Sequence, residues 1–86
     1  MNNIIQEMRE IITKDQDITI HICGNSIWFD IYKTKIPVIV DFGKNDVYVE
    51  ACDFHLDNEM LHELYLITNL LKDNINELKK ILWTGD

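Results

Sequence analysis

The chain is short of the residues that most readily narrow a function. Its 86 residues include one arginine, Arg9, one proline, Pro37, three glycines and two cysteines. Lys plus Arg number 8 against 15 Asp plus Glu, a net charge of −7. That balance argues against a nucleic-acid binder held by phosphate contacts, which needs clustered basic side chains. No glycine-rich phosphate loop can be drawn. Breakers are too few for a linker, so residues 1–86 read as a single domain. Such a short chain buries only about 60% of the surface that its unfolded form exposes, so stability should be modest. Long apolar runs are also missing. The longest charge-free run, Ile18 to Phe29, holds His21, Gly24 and Asn25 and falls short of the ~18–20 residues a membrane span needs. The opening MNNIIQEMRE lacks the basic and apolar regions of a signal peptide, so a cytoplasmic protein without membrane contact is expected. Cys23 and Cys52 fall far apart in the fold argued next, which predicts two free thiols and suits a reducing compartment.

What is present is periodicity. Asn2 or Asn3 can cap a first helix, in which Ile4, Ile5, Met8, Ile11 and Ile12 recur at helical spacing; it should end near Lys14. The period then falls to two. Ile18, Ile20 and Ile22 alternate with Thr19, His21 and Cys23, and Gly24-Asn25 is a two-residue hairpin signal. Ile27, Phe29 and Ile31 alternate next, then Val38, Val40 and Phe42, then Val47, Val49 and Ala51. A Gly24-Asn25 loop pairs Ile22 with Ile27. A Thr34-Lys35 loop pairs Ile31 with Val38, and a four-residue loop pairs Phe42 with Val47. All three registers place one apolar set on one face. The last third returns to helical spacing. Leu56-Asp57 resembles a staple and cap, and Met60, Leu64, Ile67, Leu71, Ile75, Leu78 and Leu82 form one stripe. A helix over 58–83 would be ~40 Å long against ~23 Å strands, so it either overhangs the sheet or breaks at Lys72-Asp73-Asn74. The expected fold is α+β: a four-stranded antiparallel meander with an N-terminal helix and a long C-terminal helix on its isoleucine-rich face, in the order α-β-β-β-β-α.

The opposite sheet face is the informative one. The registers give one row of His21, Trp28, Asp41 and Tyr48, and another of Thr19, Asp30, Ile39 and Glu50, with Tyr32 beyond. Aromatic side chains thus mix with three carboxylates, uninterrupted by lysine. Such a face can anchor a protein partner through Trp28, Tyr32, Ile39 and Tyr48, steered by Asp30, Asp41 and Glu50. The plainer reading is that aromatic residues simply form good strands, or that Trp83 folds over them. On the last helix Leu66 points away from the main stripe, with Leu70 and Ile81 to one side. These three are candidates for self-association, and packing of the first helix alongside is the alternative.

Reactive chemistry finds little footing. Cys52 and His55 form half a zinc motif, with too few companions to complete it. His21 and Asp41, separated by Trp28 in the expected row, are too far apart for a base and its orienting carboxylate. Asp30 and Asp41 lie on an open sheet, whereas paired-carboxylate chemistry needs a cleft. Neither catalytic residues nor a metal or other cofactor is expected.

The opening Met1-Asn2, then Arg9-Glu10-Ile11 with Lys14-Asp15 and a Thr-containing strand ending at Gly24, resembles the start of small phage-encoded anti-CRISPR inhibitors of Cas9. The shared pattern, R-E-I-x-x-K-D, covers the first quarter of the chain; the leucine-rich C-terminal helix departs from the family's acidic stretches. The resemblance implies an acidic single domain, an N-terminal helix leading into an antiparallel meander, and action by occupying the DNA site of Cas9. Two expectations follow. The first is a non-enzymatic, phage-type protein that inhibits or sequesters a host protein without touching nucleic acid itself. The second is a structural protein that homodimerises through its C-terminal helix.

Overall fold

A computed structural model describes residues 2–83, with the side chains of 3–80. The order is α1 (Asn2–Ile11), β1 (Ile18–Cys23), β2 (Ser26–Ile31), β3 (Ile36–Asp41), β4 (Asp46–Val49), α2 (Asn58–Asp73) and α3 (Ile75–Trp83). The strands form one antiparallel sheet in the order β1-β2-β3-β4. The α+β meander between helices is therefore the fold. Among the described residues no helix is long and apolar enough to cross a membrane.

One core joins the layers. Ile4, Met8 and Ile12, four residues apart, bring one stripe of the α1 region onto it. The sheet contributes Ile27, Phe29, Ile31, Ile36, Val38, Val40 and Val47, and the C-terminal helices Leu64, Ile67, Leu71 and Leu78. One point of the helical layer differs from the sequence expectation, and one alternative that the sequence left open is decided. α1 ends at Ile11, before Lys14. The C-terminal helix stops and restarts at Asn74, whose side-chain amide donates to the Leu70 carbonyl while its own carbonyl accepts from the Leu78 N–H. A residue that bonds backward with its side chain and forward with its carbonyl can close one helix and open the next. The apolar phase survives this break, so Leu71 and Leu78 both reach the core.

The hairpin registers divide in the same way. β1 and β2 pair as expected, Ile22 against Ile27 and Ile20 against Phe29. The other two registers slide by two residues: Phe29 faces Val38, Ile31 faces Ile36, and Val40 faces Val47. A Thr34-Lys35 loop would have set Lys33 opposite Ile36 on the core face. The observed turn over 32–35 leaves Lys33 exposed and lets Ile36 bury completely. The slide by two preserves which face each strand side chain takes.

Helical cover stops short of β1. Ile20 and Ile22 lie on the core side of the sheet, yet are 36% and 57% exposed.

Candidate functional site

The corrected registers redraw the outer face. One row runs His21, Trp28, Ile39, Tyr48. The next holds Thr19, Asp30 and Pro37, with Glu50 joined to it through its N–H on the Pro37 carbonyl at 3.0 Å. The third is Cys23, Ser26, Asp41, Asp46. Ile39 thus takes the row expected for Asp41, Pro37 takes the row expected for Ile39, and Asp41 moves to the third row. Asp30, Asp41 and Glu50 nevertheless still stand around Ile39, at the ~7–8 Å spacing of diagonal and next-but-one neighbours.

Ile39 was expected as an exposed contact residue, but it is only 1% exposed between the half-buried Trp28 and Tyr48. It is the floor of the patch, and the two rings are its surface. The Trp28 indole donates to Ser26 Oγ at 3.2 Å, and that hydroxyl donates to the Cys23 carbonyl at 2.9 Å. This chain fixes the ring against the β1–β2 hairpin. His21 Nε2 lies 3.0 Å from Asp30 Oδ2. The pairing expected to fail was with Asp41; the side chain within reach is Asp30, diagonally across the same hairpin. Asp41 Oδ1 accepts the Lys44 N–H at 3.1 Å, closing the β3–β4 turn. Its position is set by that turn, whereas Glu50 is exposed and makes no side-chain hydrogen bond among the described residues.

Tyr32 is not on this face. Its φ of 69° takes it out of the strand and swings the side chain to the helical side, where it is 5% exposed. Its N–H donates to the Asp17 carbonyl and its hydroxyl donates to Glu63 Oε1 on α2 at 2.6 Å. Burial, then the Glu63 bond, pushes the phenol well above its ordinary pKa. Beside it lies a cleft of about 240 Å³, walled by Lys14, Asp15, Asp57, Glu59 and Glu63. Lys14 bonds Glu59 across its mouth at 2.9 Å, and that bond raises the lysine's pKa. The sequence signal for this cleft was weak, because its walls come from three separate segments.

On α2, Leu66 is 38% exposed, beside the more open Leu61 and Tyr65. Leu70 instead packs partly against the core. The Ile81 side chain, and that of Trp83, lie outside the described residues. A second hollow of about 240 Å³ runs between α2 and the end of β4, lined by Val49, Leu56, Leu61 and Tyr65 among others. Cys23 and Cys52 are free and exposed, and among the described residues no three His, Cys, Asp or Glu side chains gather as metal ligands. Compared with protein-family models, curated proteins and solved structures, the chain matches none.

Proposed function

We propose that this is a non-enzymatic binding protein of phage or mobile-element type, which sequesters a host protein that handles nucleic acid. The observation that carries the reading is the outer sheet face: Trp28 and Tyr48 stand over Ile39 within a ring of Asp30, Asp41 and Glu50. Aromatic anchors ringed by charge of one sign suit a partner of the opposite sign. A basic channel made for nucleic acid is such a surface. The resemblance of the first quarter to inhibitors of Cas9 makes Cas9 the first bait. Trp28 and Tyr48 would anchor, and Asp30 and Glu50 would steer. Tyr32 drops from the anchoring set, since its hydroxyl serves α2.

The test is capture of purified Cas9, and of a second basic nucleic-acid-binding protein, by the wild-type chain and by Trp28→Ala/Tyr48→Ala. Retention by the wild type and loss in the variant is the expected result. Equal capture by both would remove the face from the function, and capture of neither bait by the wild type would remove the partner class.

The exposed Leu61, Tyr65 and Leu66 favour a second reading, an assembly protein that pairs through α2. It requires that Leu66→Glu abolish a dimer formed by the wild type.

A further inference from the structure

β1 is an unfinished edge. Its six residues, Ile18–Cys23, carry no charge, no proline and no glycine, and all but Ile18 are exposed. Natural sheets usually guard an edge with lysine, proline, a bulge or a covering element. The opposite edge is guarded: β4 is four residues long, begins at Asp46 and is followed by Glu50.

The direction of the free backbone groups can be derived. The Tyr32 N–H donates to the Asp17 carbonyl, and Asp17 stands opposite Tyr32 one step beyond the Ile18–Ile31 pair. In an antiparallel ladder bonded and non-bonded pairs alternate. Thr19, His21 and Cys23 therefore spend their backbone groups on β2, and Ile18, Ile20 and Ile22 point theirs outward. Among the described residues no hydrogen bond reaches those outward groups. Their side chains include the two exposed isoleucines that the helices leave uncovered. Edge and side chains thus present one surface, and only another strand satisfies both.

We propose that two copies of the chain join antiparallel through β1, making one eight-stranded sheet. A second copy fits for two reasons. A two-fold axis between antiparallel strands opposes residues of the same face, so isoleucine must meet isoleucine. Each copy also carries −7, and β1 is the strand at which two such molecules meet without bringing charges together. Of the permitted registers, the one centred on Ile20 uses every outward group. Ile20 meets the partner's Ile20 and Ile18 meets the partner's Ile22, with about six backbone hydrogen bonds. Thr19 then faces the partner's His21 on the other side of the sheet. The guarded β4 edges stop growth at two copies. Both outer faces lie on the same side of the joined sheet, so a dimer would display the Trp28–Tyr48 patch twice.

Sedimentation equilibrium over a range of concentrations, together with amide hydrogen exchange, tests this. The expected mass rises with concentration from 10.2 kDa towards twice that value. The amides of Ile18, Ile20 and Ile22 should become protected in step with it. Ile20→Pro removes an outward N–H that β2 does not use, and Ile22→Lys puts a charge on the edge. Both variants should keep the wild-type circular dichroism and remain at 10.2 kDa. A wild-type mass of 10.2 kDa at every concentration overturns the proposal. So does a dimer in which those three amides stay unprotected, or one that persists in both variants while Leu66→Glu dissolves it.

Discussion

At the scale of single residues, positions with an unusual task are the ones that a pattern read along the chain misplaces. Tyr32 sits where strand alternation would point it outward, yet its left-handed backbone turns it into the core side. A non-glycine residue held at such φ costs on the order of 1 kcal/mol, offset here by burial and two hydrogen bonds. Tyr32→Phe keeps the ring and removes the bond to Glu63. It should lower stability by about 1 kcal/mol in urea unfolding, because a half-buried carboxylate loses its donor. The same bond has a pH signature. A phenol whose pKa is raised by folding stays protonated in the native chain while the unfolded chain ionises. Its contribution is complete below about pH 10 and is lost as pH rises further. The alkaline fall in stability should therefore be shallower in Tyr32→Phe than in the wild type; identical slopes would mean that Glu63 and burial do not hold the proton. Asp57 carries a simpler role. Its Oδ1 accepts the Met60 N–H at 2.8 Å at the start of α2. Asp57→Ala should cost about 1 kcal/mol, read as a lower urea midpoint at constant slope.

At the scale of elements, the sequence told faces apart better than it told registers. A period of two states which residues share a face and nothing about where along its neighbour a strand sits. Gly24-Asn25 supplied that missing number for the first hairpin, because Gly24 adopts φ 57° without a side-chain penalty and so fixes a two-residue loop. The other two turns lack a marker of loop length: Gly43 and Asn45 signal a turn between β3 and β4 without stating how long it is. These turns use Tyr32, Lys35 and Asn45 at positive φ, and of these only asparagine commonly adopts it. Both registers therefore slid by two, and Ile39 and Asp41 each moved one row along the sheet with the face unchanged. The outer patch was legible as a set of residues but not as an arrangement. The His21–Asp30 contact and the burial of Ile39 depend on the register and are set only in the folded chain. Within the strands the inner face was legible, since any even slide keeps it, and Tyr32 in the turn is the core residue that the alternation missed. Phe29, flanked in the sheet by Ile20 and Val38 and fully buried, tests that core. Phe29→Ala should cost about 3–5 kcal/mol. Against the ~4–13 kcal/mol expected of a domain this size, that is enough to leave much of the population unfolded on warming.

For the whole molecule the question is whether its charge acts as a total or as a pattern. A net −7 on 86 residues draws any basic surface near, whatever face the protein presents. Screening separates the two cases, because the Debye length near physiological salt is ~8 Å, about the spacing of the outer-face carboxylates. Charges elsewhere on the molecule are then largely hidden from a docked partner, and those around Ile39 are not. Two variants of equal net charge make the comparison. Asp30→Lys/Glu50→Lys and Asp73→Lys/Glu77→Lys each replace two negative charges by two positive ones, taking the chain from −7 to about −3. The first pair alters the ring around Trp28 and Tyr48. The second lies beside the junction of α2 and α3. If the proposed face docks a basic partner, the first variant should bind at least about 10-fold more weakly, chiefly through slower association, and should lose most of its salt dependence. The second should match the wild type at physiological salt and differ from it only at low ionic strength. Equal weakening by both pairs would mean that the partner senses the total charge, and the arrangement of aromatic and acidic side chains on the sheet would then need another explanation.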